Sequence, residues 1–252
     1  MTHYEYYKKQ LSLIKEIKDS NTDLINFKLN ELQKLPVISG VIDLKFNNFD
    51  FKILNINNDD GVVLKYFWRN EYEPLSLSLW YEITRDNAYC LDIGAHSGIY
   101  SIVGNLNKKE NDIISIEPYY LNFARMLMNL RLNNFSVQNC FLLAMSDLAG
   151  VDTLKINTSS HYLTQGAKLD STGKFKINKQ LIDNLNFDKK VKGLKIDTEG
   201  HEFEILKGGI KTIEKYLPDI IFEIHENGLE KCFKFLRKFN NKYYLINEKN
   251  KS

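Results

Sequence analysis

Apolar residues recur along this chain with two different periods, and the changes between them divide it. From residue 4 to about 34, Leu11, Ile14 and Ile17, then Leu24, Ile25, Phe27, Leu29 and Leu32 fall at helical spacing among lysines and glutamates. Ser20-Asn21-Thr22-Asp23 offers a break and a cap between two helices. From Val41 to Leu54 the spacing shortens to alternation, broken by Asn47-Asn48 and by the turn residues at 57–61. This predicts two or three antiparallel strands, with Val62–Tyr66 as a further one. Pro74 to Thr84 reads as helix again.

Beyond this point short apolar runs alternate with helical stretches. The runs predict strands at Tyr89–Ile93, Ile113–Ile116, Val137–Ala144, Val191–Ile196 and Ile220–His225, with a last one at Tyr243–Ile246. Helices are expected from Ile99, Tyr119, Phe203 and Leu229. Such a rhythm predicts an α/β domain with a mostly parallel, doubly wound sheet. Residues 150–176 interrupt it with a strand, loops and a return strand, and Lys179–Leu185 suggests a short helix. An excursion of this kind, beyond the carboxyl ends of parallel strands, commonly shapes a substrate pocket. The expected organisation is a helical appendage at 1–35, a β-rich and helical lead-in at 36–84, and the main domain at 85–252.

Composition narrows the function classes. A chain of 252 residues can bury one full core and carry an appendage. A net charge of +2 argues against a dedicated nucleic-acid binder, which would show a basic face. Cys90, Cys140 and Cys232 form no C-x-x-C pair and read as reduced, core-filling thiols of a cytoplasmic protein. The first residues lack the apolar core of a signal peptide, and no run approaches the ~20 apolar residues that span a bilayer.

The candidate chemistry gathers at strand ends. Leu91-Asp92-Ile93-Gly94-Ala95-His96-Ser97-Gly98 runs from a strand through a glycine turn into a helix. A dinucleotide fingerprint needs a third glycine, which is missing here. Asp92 suggests a positively charged ligand, and S-adenosylmethionine, with its ammonium, sulfonium and adenosine, fits. His96 is expected to serve through its backbone. Glu117, ending the second strand, suits the paired hydroxyls of a ribose, and Ser146-Asp147, after the third, could meet an adenine amino group. Asp197 with Glu199, and Glu223 with His225, end the fourth and fifth strands. Asp197 or Thr198 could instead cap the next helix, with Glu199 in its first turn.

These motifs resemble the FkbM family of S-adenosylmethionine-dependent methyltransferases. Leu91 to Gly98, Ile116-Glu117-Pro118, Ala144-Met145-Ser146-Asp147 and Phe222-Glu223-Ile224-His225 are similar to segments of that family. The most specific match is Leu194-Lys195-Ile196-Asp197-Thr198-Glu199-Gly200-His201-Glu202, running into Leu206-Lys207-Gly208. The resemblance covers roughly 62–228, outside the N-terminal helices, and position 96 is more usually Asn. It implies a Rossmann-like class I methyltransferase fold with N-terminal helices and a small β extension, and O-methylation of a sugar, glycan or related small molecule. It also implies that Asp92, Gly94, Ala95, His96, Ser97 and Gly98 hold the methionine portion of S-adenosyl-L-methionine. Glu117 would hold its ribose, Ser146 and Asp147 its adenine, and Glu73 would stand near the methionine end. Asp197 is the first candidate for general base, with Glu223, His225 and Glu199 in support. Asp197 and Glu223 could alternatively collect a divalent metal, which is not expected. Other readings are a cofactor-binding partner subunit without activity, a nicotinamide oxidoreductase, and a methyltransferase of protein, nucleic acid or natural products. Oligomer formation stays open.

Overall fold

The computed structural model describes residues 3–20, 23–107, 112–156, 163, 167–223, 228–239 and 242–248. The chain forms two compact units. The first holds the described residues up to Tyr72, with Leu163; the second holds those from Glu73 onward.

In the first unit, α1 (His3–Asp19) and α2 (Leu29–Leu32) flank a 3-10 turn at Leu24–Asn26, as the break at residues 20–23 predicts. β1 (Gly40–Phe46) and β2 (Phe49–Asn55) form an antiparallel hairpin closed at Asn47-Asn48, with Phe46 opposite Phe49. Alternation places Ile42, Leu44, Phe46, Phe51 and Ile53 on the buried face. Val62–Tyr66, expected as a strand, lies inside α3 (Gly61–Arg69). A short apolar run has no period of its own, and the residue before it decides. Asp60, fully buried, accepts the Val62 and Val63 amides on Oδ1 at 2.9 and 3.2 Å and starts a helix.

The second unit opens with α4 (Pro74–Ile83) and then β3 (Tyr89–Ile93), α5 (Ile99–Asn105), β4 (Ile113–Ile116), α6 (Tyr120–Leu132) and β5 (Cys140–Phe141). β6 (Ala144–Met145), β7 (Gly150–Lys155), β8 (Lys168–Leu169) and β9 (Phe175–Gln180) follow. The chain closes with β10 (Val191–Ile196), α7 (Glu202–Gly208), α8 (Ile210–Tyr216), β11 (Asp219–Phe222) and α9 (Leu229–Leu236). Five strands make a parallel sheet in the order β11-β10-β3-β4-β5. The chain therefore starts at the middle with β3, builds one side, and returns for the other. Strand order reverses beside β3, where such sheets open a crevice at their carboxyl ends. Leu91, Ile93, Ile116, Leu194 and Ile196 on the strands pack with Ile205, Leu206 and Ile213 on α7 and α8.

A second sheet, in the order β6-β9-β7-β8, mixes parallel and antiparallel pairs, so the fold is α/β with mixed sheets. It contains the excursion expected at 150–176. The strand expected at Val137–Ala144 is divided: β5 joins β4, while Ala144 and Met145 take β9 as partner. Of the helix expected at Lys179–Leu185, Lys179 and Gln180 extend β9 instead, and only one 3-10 turn forms, at Ile182–Asn184. Tyr243–Ile246 forms no strand. Tyr244 and Leu245 are 83% and 75% exposed there, and alternation without a neighbouring strand does not make a ladder.

Replacing Asp60 by Ala should lower stability by about 1–2 kcal/mol, the loss typical of a helix cap, whereas Asp60→Asn, which keeps the acceptor oxygen, should cost less. Chemical denaturation of the two variants checks this; equal losses would show that the cap does not start α3.

Candidate active site

The turn between β3 and α5 is fixed first by lack of space. Gly94 has φ +79°, and a Cβ there would stand 1.8 Å from the Asp197 carbonyl oxygen. The ends of β3 and β10 thus meet with no room for a methyl group. The amides of the turn face inward. Gly94 and Ala95 donate to the Ile116 carbonyl at 2.9 and 3.0 Å, and Gly98 donates to Ala95 at 2.8 Å. His96 donates its backbone N–H to Glu117 Oε2 at 2.8 Å. A phosphate-binding turn aims such amides at its ligand; these are engaged, in keeping with the missing third glycine. The backbone role expected of His96 is therefore internal, and its imidazole is what remains.

Asp92 is completely buried. Its Oδ2 accepts the Ser101 hydroxyl at 2.6 Å, while Oδ1 accepts no hydrogen bond and faces Lys195 Nζ at 3.5 Å. Lys195 also lies 3.4 Å from Asp197 Oδ2, donates to the Gly94 carbonyl at 3.2 Å, and sits 4.7 Å from the centre of the Tyr100 ring. Burial opposes charge on Lys195, but the carboxylates of Asp197, Asp92 and Glu73 outweigh it and hold the ammonium well above its ordinary pKa. The charge of Asp92, expected to meet a ligand, is thus met first inside the protein. Sequence reasoning missed Lys195 as a site residue. Its signal was a lysine in an otherwise apolar strand, two positions before Asp197.

Asp197 is partly exposed, its side chain retaining 34% of its accessible surface. Burial pushes its pKa up; Lys195, a side-chain hydrogen bond with Glu223, and His96 together bring it below the ordinary value. Lys195, the nearest cation, favours Asp197 as the anion. Asp197 and Glu223 are therefore together, as the strand ends predicted. Glu199 is exposed and left-handed at φ 56°. His225 lies outside the described residues. Neither Asp197 nor Thr198 caps the next helix, which starts at Glu202 behind His201. Instead buried Glu202 gathers the Thr198 and Gly200 amides on Oε1 at 3.1 Å each, with the Thr198 hydroxyl at 3.2 Å. It fixes the loop that follows Asp197.

Glu117 is buried between β4 and α6. Its Oε1 accepts the Tyr119 amide at 2.8 Å, and burial raises its pKa against the opposing pull of His96 and these amides. Oε1 also accepts the Asn122 side-chain amide at 3.4 Å, so Oε2, which takes the His96 amide, is the oxygen that retains a lone pair for a hydroxyl. Glu73 precedes α4 in a left-handed conformation, φ 41°, and accepts the Tyr100 hydroxyl at 2.7 Å. The first amides of α4, Leu75 and Ser76, go to Glu248 at 3.1 and 2.8 Å, which leaves Glu73 to Tyr100. Ser146 is buried with its hydroxyl 2.9 Å from His201 Nε2. Asp147 is ion-paired with Lys207, which lowers its pKa, so both oxygens of this adenine candidate already have partners within the chain. Among the described residues no three His, Cys, Asp or Glu side chains are grouped to suit a metal.

The methyltransferase FkbM domain model matches residues 92–243. The chain belongs to the FkbM methyltransferase family. Among solved structures it is similar to the methyltransferase FkbM of Methylobacillus flagellatus KT, at 14% identity and TM-score 0.41, over 91% of this chain and 52% of that one. It is also similar to precorrin-6y C5,15-methyltransferase of Geobacter metallireducens GS-15, at 16% identity and TM-score 0.39, over 66% and 71%. The chain thus spans about half the length of the first of these structures. No curated protein matches it. Among the described residues no helix is long and apolar enough to cross a membrane.

Lys195→Met should destabilise the protein by about 3–5 kcal/mol, because it strands buried Asp92 without its counter-charge. Adding Asp92→Asn should recover much of that loss. Denaturation of the single and double variants reads the coupling, and strictly additive losses would show that the ion pair is incidental.

Proposed function

We propose that this protein is an S-adenosylmethionine-dependent O-methyltransferase of a small-molecule, sugar or glycan hydroxyl, built on a Rossmann-like class I methyltransferase domain. The observation that supports this reading most is the union of Asp197 and Glu223 with the β3 turn at one end of the parallel sheet. Bound there, the donor would supply a methyl group already activated on a sulfonium. Three features support it: acids gather at this end of the sheet, the amides of Gly94, Ala95, His96 and Gly98 are engaged within the chain, and Glu117 Oε2 keeps a lone pair for a ribose hydroxyl.

The chain's own residues have three tasks. The β3 turn and Glu117 orient the donor so that its methyl group faces the end of β10. The Asp197 carboxylate accepts a hydrogen bond from the acceptor hydroxyl, aligns its oxygen in line with the methyl carbon, and takes its proton as the new bond forms. A base held below the ordinary carboxylate pKa is weak, which suits a reaction whose leaving group needs no protonation and whose proton departs late. Glu223 stands beside Asp197 and, with Lys195, favours its anionic form before transfer. The acceptor pocket is proposed to draw on the excursion at residues 150–176.

Asp197→Asn should cut turnover by about 10²-fold or more, the loss expected for a general base, while S-adenosylhomocysteine still binds with affinity near that of the wild type. Mass spectrometry of sugar nucleotides and glycans incubated with labelled donor gives the activity, and calorimetry gives the affinity. Parallel losses in both would reject the assignment. Exhaustive chelation should leave turnover unchanged, since Lys195 already occupies the inner side of Asp197 where a metal would compete; a loss restored by a divalent cation would reject that placement.

A further inference from the structure

The residue before a helix ordinarily takes the first free amides of that helix on its side chain. Before α4 it does not. Glu73 holds this position, but its side chain makes no hydrogen bond to the helix and instead accepts the Tyr100 hydroxyl at 2.7 Å. Its backbone is left-handed, at φ 41° and ψ 57°, whereas a capping residue is ordinarily extended. That conformation is unfavourable for a residue with a side chain and persists only where surrounding contacts enforce it. Glu73 is thus turned away from its own helix and towards the site, where its charge helps to hold Lys195 as the ammonium.

The amides that Glu73 leaves are answered from far along the chain. Glu248 takes the Leu75 amide on Oε2 at 3.1 Å and the Ser76 amide on Oε1 at 2.8 Å, one oxygen for each. A carboxylate at this place also suits the helix dipole. Without Glu248 the bare amides would draw the carboxylate beside them, that of Glu73, and relief of its left-handed backbone would favour the same move. Glu248 belongs to an exposed strap. At the near end, the Tyr243 ring lies 5.2 Å from Phe233, which lies 6.3 Å from Phe222, the last residue of β11 before Glu223. In the middle, Tyr244 and Leu245 stand out in water. The strap thus has one anchor by the strand that leads to Glu223 and the other at the start of α4, behind Glu73.

We infer that Glu248 is a positioning residue of the donor site: it caps α4 in place of Glu73 and so keeps Glu73 turned towards Tyr100 and Lys195. This rests on the donor assignment above. It adds that a strap remote in sequence sets the charge at one edge of the cleft. Glu248 touches neither donor nor acceptor and acts through Glu73, so the seating of the strap and the affinity for the donor are coupled.

Calorimetry with S-adenosylhomocysteine tests this without an acceptor. Glu73→Gln should weaken binding by about 10-fold, and Glu248→Ala by about 5-fold. Glu248→Gln, which keeps one acceptor oxygen for the α4 amides, should recover most of the second loss. Adding Glu248→Ala to Glu73→Gln should change the affinity by less than about twofold, because Glu248 has no other route to the donor. Unchanged binding by Glu248→Ala or by Glu73→Gln overturns the role of Glu248. So does an undiminished loss from Glu248→Ala in the Glu73→Gln background, which would make Glu248 a helix cap and nothing more. A wild-type protein that does not bind S-adenosylhomocysteine overturns the donor assignment and this role with it.

Discussion

A buried ammonium holds the two halves of the site in one arrangement. Lys195 lies where water cannot reach, and an ion there is tolerated only with opposite charge close by. Asp92 from β3 and Asp197 from the end of β10 provide that charge, and the Gly94 carbonyl takes a hydrogen bond. Neither carboxylate could stay in place without the lysine, nor the lysine without them. Tyr100 under the ammonium carries the constraint into α5 and, through its hydroxyl, to Glu73 at the start of α4. The same network sets the chemistry. It favours Asp197 as the anion and fixes the β3 turn against the strand that carries the proposed base.

Backbone strain follows the same geography. Asparagines account for most of the non-glycine residues with positive φ, and asparagine tolerates that conformation. The others include Glu73, His96 and Glu199, which stand at the start of α4, in the β3 turn and in the loop after β10. All three stand near the carboxyl end of the parallel sheet, on loops that leave or precede its elements. Each is kept in place by contacts made by its neighbours: Glu248 takes the amides of α4, Glu117 takes the His96 amide, and Glu202 takes the amides on either side of Glu199.

Much of this was legible in the sequence. The alternation at residues 41–54 gave the hairpin, and the run-then-helix rhythm gave the parallel strands and the acids that end them, Glu117, Asp197 and Glu223. What failed had a local pattern that a distant residue overrode. Val62–Tyr66 looks like a strand until Asp60 is seen capping it, and Tyr243–Ile246 alternates but has no strand to pair with. Lys195 reads as an ordinary surface lysine because its partners, Asp92 and Asp197, come from two strands that only the sheet brings together. The role of Glu202 was hidden for a similar reason: a carboxylate in the first turn of a helix looks like a dipole partner, and here it folds back on the loop before it.

The inward-facing amides of the β3 turn also bear on what the proposed donor site would reject. A polyphosphate is recognised by unsatisfied N–H groups and cations, and the amides of Gly94, Ala95, His96 and Gly98 are already engaged within the chain. Adenosine is an unhelpful label for selecting a ligand in any mixture dominated by adenine nucleotides, because nearly all of them share it. On the proposed reading, discrimination would fall on the group attached to the 5′ carbon, where clustered carboxylates favour a sulfonium over a triphosphate or a dinucleotide. Selectivity against the most abundant competitors would then come from hydrogen bonds the protein makes to itself.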